Sequence, residues 1–231
     1  MNTKNETMGS ITESVASELN CGRTGMRSVV YIALALWLGL VSYLASQGAF
    51  VGSPGSPPVA IFLGVAIPLA VFFSAFFGWG AFRAFVLGAD LRLVTSIQAW
   101  RWGGLGFLTL YAKGILPPLF ALPAGLGDMA IGVTAPWIVL ALARNPSFAA
   151  SRRYKTWNIL GIVDFVIAVS MGTLCSGAFP GITNLMGGVT TGAMAQLPLV
   201  LVPALMVPLF IMLHSTALFQ ARRMTRAGES V

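Results

Sequence analysis

Four ionisable residues interrupt otherwise apolar stretches of this chain: Lys113, Asp128, Asp164 and His214. A charge at bilayer depth costs at least ~2.5–3.5 kcal/mol on insertion scales, so such residues are usually paired or functional. Their positions suggest two pairs. Lys113 lies just before Pro117 and Asp128 just after Pro123. A short turn between those prolines would make the flanking helices antiparallel neighbours and put both groups about 6–8 Å inside the outer boundary of a membrane. A Lys113–Asp128 ion pair is expected there, helped by the helix dipole at Asp128. It would either clasp a hairpin or hold an ion or solute.

Asp164 and His214 fall about 10 Å and about 9 Å from the opposite, inner face on consecutive antiparallel helices. An Asp–His pair has the chemistry of a proton relay. The alternative is an inert buried hydrogen bond. Small residues flank Asp164 at helical spacing (Gly161, Ala168, Gly172), which permits close packing or leaves room for water.

These residues require membrane-spanning elements to position them. The sequence is 56% hydrophobic and 9% charged, too little charge to solvate a water-facing domain. A span needs roughly 20 mostly apolar residues. Six segments qualify: Val29–Ala45, Pro58–Phe77, Trp102–Pro117, Ala124–Ala143, Trp157–Cys175 and Leu197–Phe219. The expected fold is an all-α bundle of six transmembrane helices over residues 28–221, with a polar tail at 1–27 and a basic tail at 222–231.

Connections carrying Lys or Arg alternate with connections lacking them. Arg23 and Arg27 precede the first span; Arg83, Arg92 and Arg101 fill the second connection. Arg144, Arg152, Arg153 and Lys155 fill the fourth, and Arg222, Arg223 and Arg226 close the chain. The positive-inside rule then puts both termini in the cytoplasm. No signal peptide or organelle signal is visible, so the expected location is a bacterial inner membrane. The semi-apolar connection 81–101 reads as an interfacial helix, and the Gly-rich connection 176–196 as a loop. Prolines at 68, 136, 198, 203 and 208 predict kinked spans.

Several chemistries are excluded. The net charge of +7 sits between the apolar stretches, where it sets topology and does not argue for nucleic acid. Cys21 and Cys175 fall on opposite sides of the predicted membrane, so no disulfide is expected. A single histidine gives no Cys/His metal spacing and no bis-histidine haem site, and neither metal nor cofactor is expected. No phosphate loop or nucleophile elbow is present.

Gly125-Leu-Gly-Asp128 reads G-x-G-D, Val163-Asp164 offers a second aspartate, and Pro203-Ala-Leu205 reads P-A-L. Together these resemble the intramembrane aspartyl proteases of the presenilin and signal-peptide-peptidase type. The resemblance covers only those residues and implies Asp128 and Asp164 as a catalytic pair sharing one water. The chain departs from that family's order, since its G-x-G-D precedes the partner aspartate. The predicted depths also separate the two carboxyls by well over 10 Å. The leading expectation is therefore a small proton-coupled transporter or permease, working as a homo-oligomer in the lipid bilayer on a small solute. The alternative is a non-catalytic accessory or assembly subunit of a membrane complex.

Overall fold

A computed structural model describes residues 3–53 and 55–229, with side chains placed from 25 to 226 apart from residue 54. The described residues are helical and contain no strand. The elements are α1 (Thr3–Ser46), α2 (Val59–Gly78), α3 (Gly80–Leu87), α4 (Leu91–Ile97), α5 (Leu105–Ala112), α6 (Pro118–Arg144), α7 (Arg152–Leu174), α8 (Pro180–Leu185) and α9 (Val207–Glu229). Residues Met1–Leu40 form one unit and Val41–Val231 a second. The first is most of α1, whose helix runs through the stretch read as a polar tail. The second holds every other helix and all the chemistry described below.

Five helices are long and apolar enough to cross a membrane: Gly25–Ser46, Val59–Gly78, Pro118–Arg144, Arg152–Leu174 and Val202–Arg226. The third predicted span, Trp102–Pro117, is not one of them. Its place is taken by α4, a 3₁₀ segment (Gln98–Gly104) and α5, wound in series from Leu91 to Ala112. The boundary was misplaced at both ends. Pro118 occupies the first turn of α6, where its missing N–H and fixed φ cost nothing. The true connection is thus residues 113–117 and contains Lys113. The interfacial helix predicted over 81–101 is instead two short helices, α3 and α4, followed by the 3₁₀ turn.

The bundle of the second unit is inverted relative to a water-soluble protein. Ile67, Val71, Trp137, Leu160 and Val166 point outward, while Thr95, Gln98, Arg101, Asn158, His214 and Gln220 are buried. Apolar packing locks the frame around them. Phe76 stacks on Phe219 with ring centroids 4.3 Å apart, tying α2 to α9. Gln220 Nε2 donates to the carbonyls of Val86 and Ala89, each at 3.0 Å, satisfying groups at the C-terminal end of α3. The prolines of the last span act through winding. Val202–Met206 forms a π-helical turn that includes Pro203 and immediately precedes Pro208, where an α-helical carbonyl would collide with the ring.

Asp90 caps α4: its carboxylate accepts from the Arg92 amide at 2.8 Å and faces the Arg92 guanidinium at 3.3 Å. That amide, then the guanidinium, hold the carboxyl below its ordinary range. Asp90→Ala is expected to lower stability by about 1 kcal/mol, read from unfolding in micelles. A carboxyl depressed in the folded state stabilises above its unfolded pKa and loses that contribution as pH falls through the folded value. The difference between wild type and Asp90→Ala should therefore shrink in acid; a difference that grows in acid contradicts this cap.

Candidate functional site: a buried arginine between two aspartates

The centre of the bundle is Arg101, a residue read from sequence as part of a cytoplasmic connection. Its side chain is 0% exposed. The reason is local winding. In the 3₁₀ segment the buried residues are Gln98, Arg101 and Gly104, spaced by three. At 3.0 residues per turn such positions stack in one line, and that line faces α6. Gly132 of α6 lets the two backbones touch, since a Cβ there would overlap the backbone of Arg101 and Trp102.

Three further helices deliver partners to the guanidinium. Arg101 Nε donates to Asp128 Oδ1 of α6 at 2.7 Å. One terminal nitrogen donates to Asp164 Oδ2 of α7. The other donates to the Gly161 carbonyl at 3.2 Å and lies 3.0 Å from His214 Nε2 of α9. The guanidinium carbon also sits 3.9 Å from the centroid of the Phe165 ring, a cation–π contact. Glycines make this convergence sterically possible: a Cβ at Gly127 would overlap the Asp164 carboxylate, and one at Gly161 would overlap the His214 ring.

The hydrogen-bond directions are fixed by chemistry. An arginine only donates, so His214 Nε2 accepts and its Nδ1 carries the proton. Nδ1 then donates to Asn158 Oδ1 at 2.9 Å, and Asn158 Nδ2 donates to the Tyr154 carbonyl at 2.9 Å. Tyr154 O–H meets Thr95 Oγ1 of α4 at 3.1 Å. The Trp157 ring packs edge-on against the imidazole at 5.5 Å between centroids. His214 is thus a neutral imidazole with both nitrogens occupied.

The predicted pairs are rearranged. Asp128 is paired with Arg101, while Lys113 is exposed in the α5–α6 turn and forms no ion pair among the described residues. Asp164 and His214 do approach one another, but through Arg101 rather than by a direct bond. The predicted separation in depth also fails. Asp128, Asp164 and His214 lie about 15–18 Å of helical rise from the nearest ends of their candidate spans. One guanidinium holds both carboxylates. Arg101 and Asn158 are the residues the sequence reading missed. The signal for Arg101 was available: from Leu93 to Ala112 it is the sole charged residue in a stretch of membrane-spanning length.

Charge does not balance in the cluster. With both aspartates ionised it carries one cation against two anions, and His214 adds nothing. The surplus lies beside open space. A cavity of about 150 Å³ runs from the loop residues Phe50, Ser53 and Ser56 to Asp128, and a second of about 150 Å³ touches both Arg101 and Asp128. Asp128 Oδ2 accepts no hydrogen bond among the described residues, and the side chain is 13% exposed.

Fold and site together define an all-helical protein with several helices of membrane-crossing length around a buried Arg–Asp–Asp–His cluster. The chain belongs to the family described as a domain of unknown function, DUF8737, which matches residues 58–222. That range begins at the start of α2 and contains every residue of the cluster. No curated protein and no solved structure matches the chain.

Removing one partner from a buried pair costs about 3–5 kcal/mol because the other charge is stranded. Here the costs should be unequal. Arg101→Leu strands two carboxylates, whereas Asp128→Asn leaves the arginine paired with Asp164 and balances the charge. Unfolding in micelles is expected to show Arg101→Leu as the more destabilising change by at least about 1 kcal/mol. The reverse order would contradict the pairing described.

Proposed function

We propose that this protein is a small multi-pass membrane transporter that couples solute movement to protons at Asp128 and Asp164. The carrying observation is a cavity ending on a carboxylate that belongs to a cluster with one uncompensated negative charge. A net charge inside hydrocarbon is costly. A proton taken up by either aspartate removes that cost, so occupancy of the cavity and protonation are coupled through the same guanidinium. The relay assigned to Asp164 and His214 becomes a carboxylate pair with Arg101 as its switch, and His214 orients the arginine.

In this reading the series α4–3₁₀–α5 supplies a sixth crossing. Both termini then lie in the cytoplasm, and a bacterial inner membrane is the matching location. The basic residues support that topology, with Arg101 withdrawn into the interior and Lys113 as the one exception on the far side. Transporter binding sites are typically formed by irregular helices, and Val202 and Pro203 of the π turn line the cavity.

A second reading, an accessory subunit in which the cluster is a clasp, is favoured by the fully bonded His214–Asn158–Tyr154 chain. The protease reading has less support. Although both aspartates meet, each is bonded to the guanidinium between them, where a catalytic pair needs the two carboxyls to share one proton directly.

The test is proteoliposomes with a trapped pH-sensitive dye, challenged with panels of amines, amino acids and sugars. Solute-dependent proton movement is expected in the wild type and at least tenfold less in Asp128→Asn and Asp164→Asn. Absence of movement across the panels, or movement that survives both substitutions, would refute the coupling.

A further inference from the structure

The cavity that ends on Asp128 has a one-sided polarity. Among the described residues no Lys, Arg or His lines it, and Asp128 is its one ionisable group. Four of its five hydroxyls have already given away their protons. Ser56 Oγ donates to the Ser53 carbonyl at 2.7 Å, Thr173 Oγ1 to Val169 at 2.8 Å, Ser176 Oγ to Thr173 at 2.7 Å and Thr191 Oγ1 to Gly172 at 2.7 Å. A hydroxyl whose proton is engaged offers a visitor only lone pairs. The polar side chains deep in the lining are therefore acceptors, and Ser53 at the mouth is the one hydroxyl outside this set.

The remaining wall is aromatic and aliphatic. Phe107 and Phe120 meet edge-to-face at 5.5 Å and line the cavity with Phe50 and Phe62. Phe165 also lines it, but its faces are engaged by Arg101 and by Phe210, stacked at 6.0 Å. A cavity of about 150 Å³ lined by apolar groups accommodates a molecule of benzene size.

Building on the transport reading, we propose that this cavity binds a small organic cation, a protonated primary amine carrying an apolar body. The ammonium would lie against Asp128 Oδ2 and supply the positive charge that the Arg101–Asp128–Asp164 cluster lacks. The apolar body would fill the space beside Phe107 and Phe120, whose ring faces attract cations as well as hydrocarbon. An anionic solute meets a carboxylate and no cation here, and a neutral one leaves the surplus charge uncompensated.

Equilibrium dialysis of the whole protein in lipid nanodiscs, with empty nanodiscs as blank, tests this with three probes of one shape: benzylammonium, benzyl alcohol and benzoate. Benzylammonium is expected to bind saturably and at least tenfold more tightly than either of the others. Asp128→Asn should weaken it at least tenfold. Gly172→Leu keeps the carboxylate but fills the cavity; its Cβ meets Phe120 at an ordinary 3.5 Å, its folding is checked by unfolding in micelles, and binding should likewise be lost. Equal binding of benzyl alcohol, preference for benzoate, or benzylammonium binding untouched by Gly172→Leu would each overturn the proposal. Saturable amine binding without any flux would refute transport and leave this site standing. Coupled flux of neutral solutes without amine binding would do the opposite.

Discussion

A guanidinium cannot lose its charge inside a protein, and this one is fully buried. Arg101 must therefore find compensation from the chain, and the arrangement of α4 through α9 follows from that need. Asp128 comes from α6, Asp164 and the Gly161 carbonyl from α7, and His214 from α9. The planar head is shared among three helices, so the cluster works as a keystone for elements whose outward faces have no preference among lipid-like neighbours. Apolar contacts alone give such helices weak instructions about register. Directional bonds to one fixed fork give strong ones.

The same constraint explains the distribution of glycine. Gly127, Gly132 and Gly161 are among the points where a side chain or backbone from a neighbour passes through the space a Cβ would take. Helices carrying a charged centre must approach closely enough for 3 Å bonds, which ordinary side chains at those positions would prevent. Gly125-Leu-Gly-Asp128, which reads as a motif of proteolytic chemistry, has a simpler physical role. Its second glycine admits the Asp164 carboxylate to the guanidinium that the following aspartate also binds.

Much of this was legible in the sequence, and the failures have identifiable causes. The apolar runs gave five helices of spanning length with ends within several residues, because length and composition alone set them. Of the four ionisable residues that interrupt apolar stretches, Asp128, Asp164 and His214 meet at Arg101. Lys113 departs from the expected pair because proline marks a helix start as readily as a stop, and Pro118 sits where a helix begins. Arg101 departs because an arginine near a span boundary also fits the topology rule. Moving that boundary nine residues toward the N-terminus would have placed it mid-span. The pairing could not be read at all. It depends on 3₁₀ winding, which leaves no strong mark in composition, and on contacts between residues 27 to 113 positions apart.

That winding has a mechanical side. A 3₁₀ turn rises about 2.0 Å per residue against 1.5 Å for an α turn. The seven residues Gln98–Gly104 are thus about 3.5 Å longer than they would be as α-helix. Relaxing them would also fan the Gln98–Arg101–Gly104 stripe by about 60° at each step of three. Length and alignment are therefore set by the same winding. The 3₁₀ turn both carries Arg101 further along the axis and keeps it in line with Gln98 and Gly104.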